Sequence, residues 1–258
     1  MMSEGLPLGY RPAEIASEQA CELGAAALAL LKEVLDTISE RTTTEEKEVG
    51  LLRLMGLQAM LFLETADLAI EGHARGRNRA AFGLQSSLFE YLMRAIAYRR
   101  GIVDAQEAWH LGMAHRIAAD KCQDAVEYER WKAENPISRS SEKSFEQILG
   151  ELFENGDGEW KNWIYQRYRR PRLFARGTLG AVDDVFEIRD ASVCFSNSAR
   201  TIDPDAQVIA IACLACDFVS EFNDQYTLGF QRQLAEFQEK ISATAMERGA
   251  RREKVATG

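Results

Sequence analysis

One apolar stretch decides the fold: LLRLMGLQAMLFL, residues 51–63. Its leucines and methionines recur on every side of a helix rather than along a single stripe. This pattern is typical of the buried central helix of a bundle. Thr42 and Thr43 can cap the start of such a helix, and Gly72 ends the apolar pattern. We therefore predict a helix over residues 45–71 and place it at the centre of the core.

The sequence on both sides of this stretch favours further helices. Apolar residues recur at spacings of three and four, and only five prolines interrupt the 258 residues. We predict helices over residues 12–40, 45–71, 77–100, 104–134, 141–154, 159–170 and 181–198, with a last helix that begins at Pro204. Asp104 and Asp203 are the predicted N-caps of the fourth and the last of these helices.

The last helix is too long for the expected domain. From Pro204 to Glu247 it would measure about 65 Å, whereas a compact chain of this size has a radius of gyration of about 18 Å. Either Gly229 breaks the helix, or its end projects as a surface for a partner. We predict an all-α fold, a multi-helix bundle of roughly seven to eight helices around a central hydrophobic helix. Residues 12–248 form its single domain, between a tail over 1–11 and a disordered tail over 249–258.

Charge and composition restrict the class of protein. The formal net charge is −9, which argues against wrapping of nucleic acid or docking on an anionic membrane. The N-terminus shows no secretory pattern, and the longest apolar run, residues 208–216, is far shorter than the roughly 20 residues of a membrane span. Five cysteines, an odd number, lie in apolar surroundings. We expect a cytoplasmic protein with reduced thiols and no membrane partner.

Three carboxylates share one face of the predicted central helix. Glu64, Asp67 and Glu71 are three and four residues apart, and they would need cations if they were buried. Glu107 and His110 form a Glu-x-x-His, a type of motif that supplies iron ligands in ferritin-like bundles, but those bundles need it twice. We expect carboxylates that pair with arginine or face solvent, and neither a metal nor another cofactor. Convergence of these five residues would instead favour a metal enzyme.

Two further motifs have a structural and a functional interpretation. Cys213 and Cys216 have the spacing of redox and zinc motifs but lie inside an apolar stretch, so we interpret them as core residues. DDVFE (183–187) and NDQYT (223–227) resemble the magnesium-diphosphate motifs of isoprenoid synthases, with Gln231 at the last ligand position. A metal-dependent enzyme with a ferritin-like or isoprenoid-type site is therefore the alternative function. The motifs of P-loop nucleotide hydrolases, dinucleotide-binding folds and serine hydrolases are missing.

The segment WKNWIYQRYRRPRLFAR, residues 160–176, departs most from the average composition. It holds six cations and no acid: Lys161, Arg167, Arg169, Arg170, Arg172 and Arg176. Arginines can grip phosphates while tryptophan and tyrosine stack on bases. Alternatively, the aromatic residues pack on the core and the arginines pair with acidic neighbours. This basic segment is the candidate surface for nucleic acid or for an acidic partner.

The third predicted helix resembles a known pattern. RAAFGLQSSLFEYLMR, residues 79–94, resembles the Arg-x-x-(Phe/Leu)-Glu helix of a bacterial helical family of unknown function that is similar to the HEPN superfamily. A later helix of that family carries Ser-x-x-x-His, and here the matching residues 196–200 end on Arg200. Catalytic HEPN proteins are ribonucleases with an Arg-x4–6-His motif, and no arginine precedes His73, His110 or His115 at that spacing. The resemblance implies a helical fold without the nuclease chemistry.

The residues of this helix also allow a polar cluster in the core. Glu90 and Arg94 are four residues apart and form an ion pair in a helix, while Arg79 can reach the acidic face of the preceding helix. We predict a cluster of Glu64, Asp67, Arg79, Glu90 and Arg94. No catalytic set emerges, so we expect a non-catalytic helical interaction protein of bacterial stress, defence or regulation. Its partner would be another protein, a second copy of itself or a nucleic acid.

Overall fold

The computed structural model describes residues 14–40, 45–135, 143–154, 164–175, 186–189, 192–195 and 202–257. Within these ranges the chain forms the predicted all-α bundle, with one short hairpin beside it. The helices are α1 (Glu18–Ser39), α2 (Glu46–Ala74), α3 (Asn78–Arg99), α4 (Ala105–Lys121), α5 (Ala125–Glu134), α6 (Phe145–Leu152), α7 (Arg170–Ala175), α8 (Pro204–Tyr226) and α9 (Gln231–Thr257). A π-helical turn (Tyr165–Arg169) leads into α7, and β1 (Phe186–Arg189) pairs with β2 (Ser192–Phe195).

Polar side chains cap the first turns of five helices. Ser17, Asp104, Asp124, Ser144 and Asp203 each accept a hydrogen bond from a backbone N–H at the start of α1, α4, α5, α6 and α8. Caps of this kind stabilise a helix by about 1 kcal/mol each. The sequence predicts the caps at Asp104 and Asp203, and the structure confirms both.

The core forms where α2 and α8 meet. α8 packs against α1, α2, α3 and α9, and α2 packs against α1, α3, α4 and α8, in line with its predicted central position. The rings of Phe62 in α2 and Phe218 in α8 pack edge to face, with their centroids 5.0 Å apart. Both rings are inaccessible to solvent, so each contributes the full burial of a large apolar side chain, about 1.5–3 kcal/mol.

Part of α2 also has the length and composition of a membrane span. In the described part of the chain, Glu48–Ala74 is the one segment long and apolar enough to cross a bilayer. The core helix of a soluble bundle passes the same test, and this segment contributes Met55, Phe62 and Ala66 to the core. Length and composition alone are therefore weak evidence for a membrane span.

One predicted helix is divided in the structure, and strands replace part of another. The helix predicted over residues 104–134 divides at Cys122, because the Asp124 side chain accepts from the Glu127 N–H and begins α5. The helix predicted over 181–198 is wrong for the residues described there, since β1 and β2 pair antiparallel with Phe186 opposite Phe195. Apolar and polar residues alternate in β1, which is the period of a strand rather than of a helix.

The helix predicted to stop at Pro171 instead continues to Ala175. Proline cannot donate the regular helical hydrogen bond, so it usually ends a helix. Here the chain is helical without interruption from residue 164, and the π-helical turn over Tyr165–Arg169 passes directly into α7. Pro171 therefore lies inside a continuous helical segment, directly after the change from π-helical to α-helical geometry.

The predicted break at Gly229 is confirmed. α8 ends at Tyr226, Thr227 and Gly229 have φ angles of 50° and 86°, and α9 begins at Gln231. α9 then packs against α8 and α1. Its backbone is helical as far as Thr257, whereas the sequence predicts a disordered tail from Gly249. The predicted N-terminal tail, residues 1–11, lies outside the described residues.

Candidate functional site

The predicted polar cluster is only partly brought together. Glu90 and Arg94 form the predicted ion pair on α3, with Glu90 Oε1 2.8 Å from an Arg94 terminal nitrogen and 3.0 Å from its Nε. Glu64 and Asp67 are exposed on α2 and so lie outside any buried cluster. They project from the side of α2 opposite the buried Ala66, which explains their exposure. Arg79 is half-buried in the first turn of α3, and its contact with the acidic face stays a prediction.

The five residues considered for a metal enzyme do not converge. Glu64, Asp67, Glu71, Glu107 and His110 are all exposed, on two different helices. Among the described residues, no group of three or more His, Cys, Asp or Glu side chains could hold a metal ion. Glu71 instead pairs with Arg75 at 2.6 Å.

The cysteines of the CxxC motif lie on the inner side of α8. Cys216 belongs to the core, and Cys213 packs against it. Burial, and then the neighbouring Cys213 and Asp217, raises the pKa of Cys216 to about 12. Burial is also the main cause of the raised pKa of Cys213. Both side chains are therefore thiols at neutral pH, which supports their interpretation as core residues.

The isoprenoid-type motifs have no ligand geometry in the described part of the chain. Asp183 and Asp184 lie outside it, and Glu187 belongs to strand β1 rather than to a helix. Asn223 is buried, and its side-chain oxygen accepts from the Phe230 N–H at 3.0 Å. This residue therefore closes the turn between α8 and α9.

Tyr168, the one aromatic residue of the basic segment whose side chain the structure describes, packs inward. Tyr168 is almost fully buried, and its ring centroid lies 4.7 Å from that of Phe145 and 6.0 Å from that of Phe89. Ile164 is buried beside them in the core. This side of the segment is unavailable for stacking on bases.

The described arginines of the basic segment contact groups of the protein itself. Arg169 and Arg172 approach the carboxylate of Glu146, at 3.5 and 4.0 Å. The Arg170 guanidinium lies 5.7 Å from the centroid of the Phe82 ring. The positive charge of Arg167 is close enough to Asp217 to favour the ionised form of that carboxyl group, and so partly offsets the other effects on its pKa. These contacts fit the interpretation as a packed helix with paired arginines; Lys161 and Arg176 lie outside the described residues.

A row of apolar side chains is exposed along the outward face of α2. Leu57, Met60 and Leu68 expose 46%, 56% and 59% of their surface. They lie on one side of the helix, opposite the buried Phe62 and Ala66. Isolated exposed leucines are ordinary, but an aligned row with charged neighbours is typical of a contact surface.

Charged residues lie at both ends and in the middle of this row. Arg53 lies near its N-terminal end, Glu64 in its middle and Glu71 near its C-terminal end, and all three are exposed. The Arg53 guanidinium lies 4.9 Å from the centroid of the Trp109 ring. We name this surface the α2 face and define it by Arg53, Leu57, Met60, Glu64, Leu68 and Glu71.

A cleft of about 360 Å³ opens between the end of α3, the inner side of α4 and the start of α6. Its apolar walls include Tyr98, Ile102, Leu111 and Ile148. Its charged groups are two cations, Arg94 and Lys143, and two carboxylates, Asp104 and Glu107. Of these eight residues, the sequence singled out Arg94 for a core cluster, Asp104 as a cap and Glu107 as a metal ligand. Their common position depends on the packing of α4 on α2, which brings it beside the end of α3 and which no local pattern encodes.

A smaller groove of about 210 Å³ lies between α3, the end of α6 and α8. Asp217 and Glu221, on consecutive turns of α8, both line it, and Glu221 pairs with Arg99. Burial, followed by the charge of Glu221, raises the pKa of Asp217 to about 6 against the opposing effect of Arg167. The Asp217 side chain is crowded by its neighbours but still reaches solvent through the groove. Its charge therefore changes close to neutral pH.

Comparison with protein-family models, with curated proteins and with solved structures gives no match for this chain. The resemblance of residues 79–94 to the HEPN-like family stays a prediction. Those residues all lie within one helix, α3. Residues 196–200, which would carry the second element of that family, lie outside the described part of the chain.

Proposed function

We propose that this chain is a non-catalytic helical interaction protein and that its α2 face binds a second copy of the same chain. The exposed row of Leu57, Met60 and Leu68 carries the proposal. About half of each side chain is still exposed, so burying one of them in an interface is worth about 1 kcal/mol, and a two-fold contact buries each of them twice.

The charges along the α2 face favour an antiparallel arrangement of the two copies. If the two-fold axis passes between residues 62 and 63, Leu57 of one copy lies level with Leu68 of the other. Arg53 of one copy then lies opposite residue 72 of the other, next to Glu71. Arg53 of each copy can then pair with the Glu71 carboxylate of the other, which in the single chain pairs with Arg75 of its own helix.

The same charges argue against insertion of α2 into a membrane. Glu64 and Asp67 lie along the exposed part of the helix, within the segment that is long enough to span a bilayer. A charged side chain at the centre of a bilayer costs about 2.5–3.5 kcal/mol or more. A protein partner with a polar rim fits such a surface better than lipid does.

Binding of nucleic acid by the basic segment stays a prediction outside this proposal, because its described arginines contact groups of the protein itself. Reversal of Arg167, Arg169 and Arg170 to Glu tests it, with RNA affinity at low salt as the measurement. If the wild-type chain binds no RNA, or if the triple reversal leaves the affinity unchanged, the prediction fails.

Sedimentation equilibrium over a range of concentrations tests the proposed self-association. We expect a dimer for the wild-type chain and a dissociation constant at least about tenfold larger for Leu57→Glu or Leu68→Glu. Val126→Glu is the matched control, since Val126 is an exposed apolar residue on α5, away from the α2 face. A wild-type chain that stays monomeric, or a Leu68→Glu variant that dimerises as the wild type does, overturns the proposal.

Charge reversal tests the antiparallel arrangement separately. Arg53→Glu places like charges opposite each other at both ends of the interface and weakens the dimer. Adding Glu71→Arg to the same chain restores opposite charges and should restore the dimer. Both variants lose the contact between Arg53 and Trp109, so that loss cannot explain the difference between them. Failure of the double variant to recover overturns the antiparallel arrangement.

A further inference from the structure

The cleft between α3, α4 and α6 has the dimensions of a site for a small molecule. Its volume of about 360 Å³ lies within the range of about 300–1,000 Å³ that such sites occupy. One side of α4 forms a wall, because Glu107, Leu111 and His115 recur at intervals of one turn. Tyr98 on α3 and Ile148 on α6 contribute apolar surface from the other sides.

The two cations of the cleft are already neutralised by partners. Arg94 binds the Glu90 carboxylate through two nitrogens, at 2.8 and 3.0 Å. The Lys143 ammonium lies 2.6 Å from a Glu151 oxygen and 2.8 Å from the Ile102 carbonyl oxygen. Neither cation is therefore a strong attraction for an anionic ligand.

The two carboxylates of the cleft have no such compensation. Neither Asp104 nor Glu107 forms an ion pair with any residue in the described part of the chain. Asp104 accepts only the Glu107 N–H, at 2.9 Å, as the cap of α4. The N-terminal dipole of α4 offsets about half an elementary charge, against two full negative charges. The ligand-facing side of the cleft is therefore net negative.

We propose that this cleft binds a small organic amine with an apolar body, independently of any contact at the α2 face. The ammonium group of the ligand pairs with Glu107 and Asp104 at the first turn of α4. Its apolar body lies against Tyr98, Leu111 and Ile148, and the Tyr98 ring offers a face on which a cation or an aromatic ring can rest.

Gly112 provides a way to close the cleft without disturbing the fold. It lines the cleft, and a Cβ atom placed on it would meet nothing within 4 Å. Gly112→Leu therefore fills the cleft from the wall of α4, and it replaces a poor helix former by a good one. Gly249→Leu is the matched control, because Gly249 lies in α9 with the same open space around its Cβ position.

Three probes of similar shape and different charge test the proposal in calorimetric titrations: phenethylamine, phenethyl alcohol and hydrocinnamate. We expect phenethylamine to bind most tightly and hydrocinnamate most weakly. Gly112→Leu should abolish binding of phenethylamine, and Gly249→Leu should leave it unchanged. A thermal melt of Gly112→Leu no lower than that of the wild type shows that the variant is folded.

Neutral variants of the carboxylates test the origin of the preference. Glu107→Gln and Asp104→Asn should each weaken the binding of phenethylamine about three- to fivefold, and the double variant about tenfold or more. The effects are modest because the ion pairs between the ligand's ammonium group and the two carboxylates are exposed to solvent. Asparagine caps a helix as well as aspartate does, so Asp104→Asn keeps α4 intact. Glu239→Gln, at an exposed position on α9, is the control and should have no effect.

Three results would overturn the proposal. They are tighter binding of hydrocinnamate than of phenethylamine, no measurable binding of any of the three probes to the wild-type chain, and undiminished binding of phenethylamine to Gly112→Leu.

Discussion

Folding changes the pKa of single residues on the inner helices. Asp217 is the clearest case, because crowding by its neighbours and the charge of Glu221 raise its pKa to about 6. The folded chain therefore holds the proton of this carboxyl group more tightly than the unfolded chain does. Stability from Asp217 is complete below about pH 4 and is lost as the pH rises through about 6.

Asp217→Asn removes this dependence. We expect its free energy of unfolding at pH 7 to exceed that of the wild type by about 1 kcal/mol. This is less than the pKa shift alone implies, because Asp217 is exposed to solvent, which screens its charge. At pH 4 the variant and the wild type should be equally stable. Urea denaturation at both pH values measures the difference, with Asp224→Asn, an exposed aspartate on the same helix, as control. Equal effects of Asp217→Asn at both pH values would contradict the assignment.

His73 has the opposite dependence. Its Nδ1 lies 2.9 Å from the side-chain oxygen of Asn78, and its Nε2 has no partner among the described residues. Burial lowers the pKa of His73, only partly offset by Asn78. Because the unfolded chain takes up this proton more readily, stability is present above about pH 6.5 and is lost as the pH falls below it.

His73→Leu should therefore flatten the loss of stability between about pH 7 and pH 5. At pH 7 the variant should be about 1 kcal/mol less stable, because Asn78 loses its hydrogen-bond partner. Denaturant titrations across this range give the slope, and His110→Leu, at an exposed histidine, should leave the slope unchanged. A His73→Leu slope equal to that of the wild type would show that His73 does not titrate as inferred.

At the scale of elements, local signals in the sequence predict where most helices begin and end. Caps such as Asp203 and the break at Gly229 act within a few residues, so they can be read directly. Local signals do not predict the structure of a segment whose conformation depends on contacts with other elements. The alternation in 186–189 favours a strand over a helix, and Pro171 lies inside a helical segment directly after a π-helical turn.

The cleft could not be predicted because it depends on tertiary packing, whereas the α2 face has a signal in the sequence. The apolar pattern predicts a helix that is buried all round, yet Arg53, Glu64 and Glu71 share a helical face with Leu57 and Leu68. These charges are the signal that the face is exposed. For the cleft no comparable signal exists, since Tyr98, Gly112 and Lys143 come together only through the packing of three elements.

The turn between α8 and α9 provides a prediction for these elements. Gly229 has a φ of 86°, a conformation that costs an alanine about 1–2 kcal/mol. Gly229→Ala should destabilise the chain by that amount. Gly249→Ala, inside α9, should instead stabilise it by up to about 1 kcal/mol, because alanine favours the helix. Chemical denaturation of the two variants gives opposite signs; the same sign for both would contradict the described turn.

At the scale of the whole molecule, distant parts of the chain meet beside the start of α8. The Ser17 N–H and hydroxyl donate to the two oxygens of Asp205, at 2.6 and 3.1 Å. Near the other end of the chain, Arg248 in α9 pairs with Asp203, the cap of α8. Gln19 also donates to Glu247, at 3.2 Å. These contacts hold α1 and α9 against the same end of α8, so the long last helix packs along the bundle as far as Arg248.

Arg248→Ala tests whether the pair with Asp203 holds the end of α9 in place. The two side chains are mostly buried, with exposures of 25% for Arg248 and 12% for Asp203, so removing the cation leaves a poorly solvated carboxylate. We expect a loss of about 1–3 kcal/mol and faster hydrogen exchange in α9 beyond Ile241, while α8 stays protected. Arg232→Ala removes an almost fully exposed ion pair with Glu236 at the other end of α9 and should change the stability by less than about 0.5 kcal/mol. If hydrogen exchange in α9 is equally fast in the two variants, the apolar contacts of α9 alone hold it in place. The ion pair between Arg248 and Asp203 is then a consequence of that packing and not its cause.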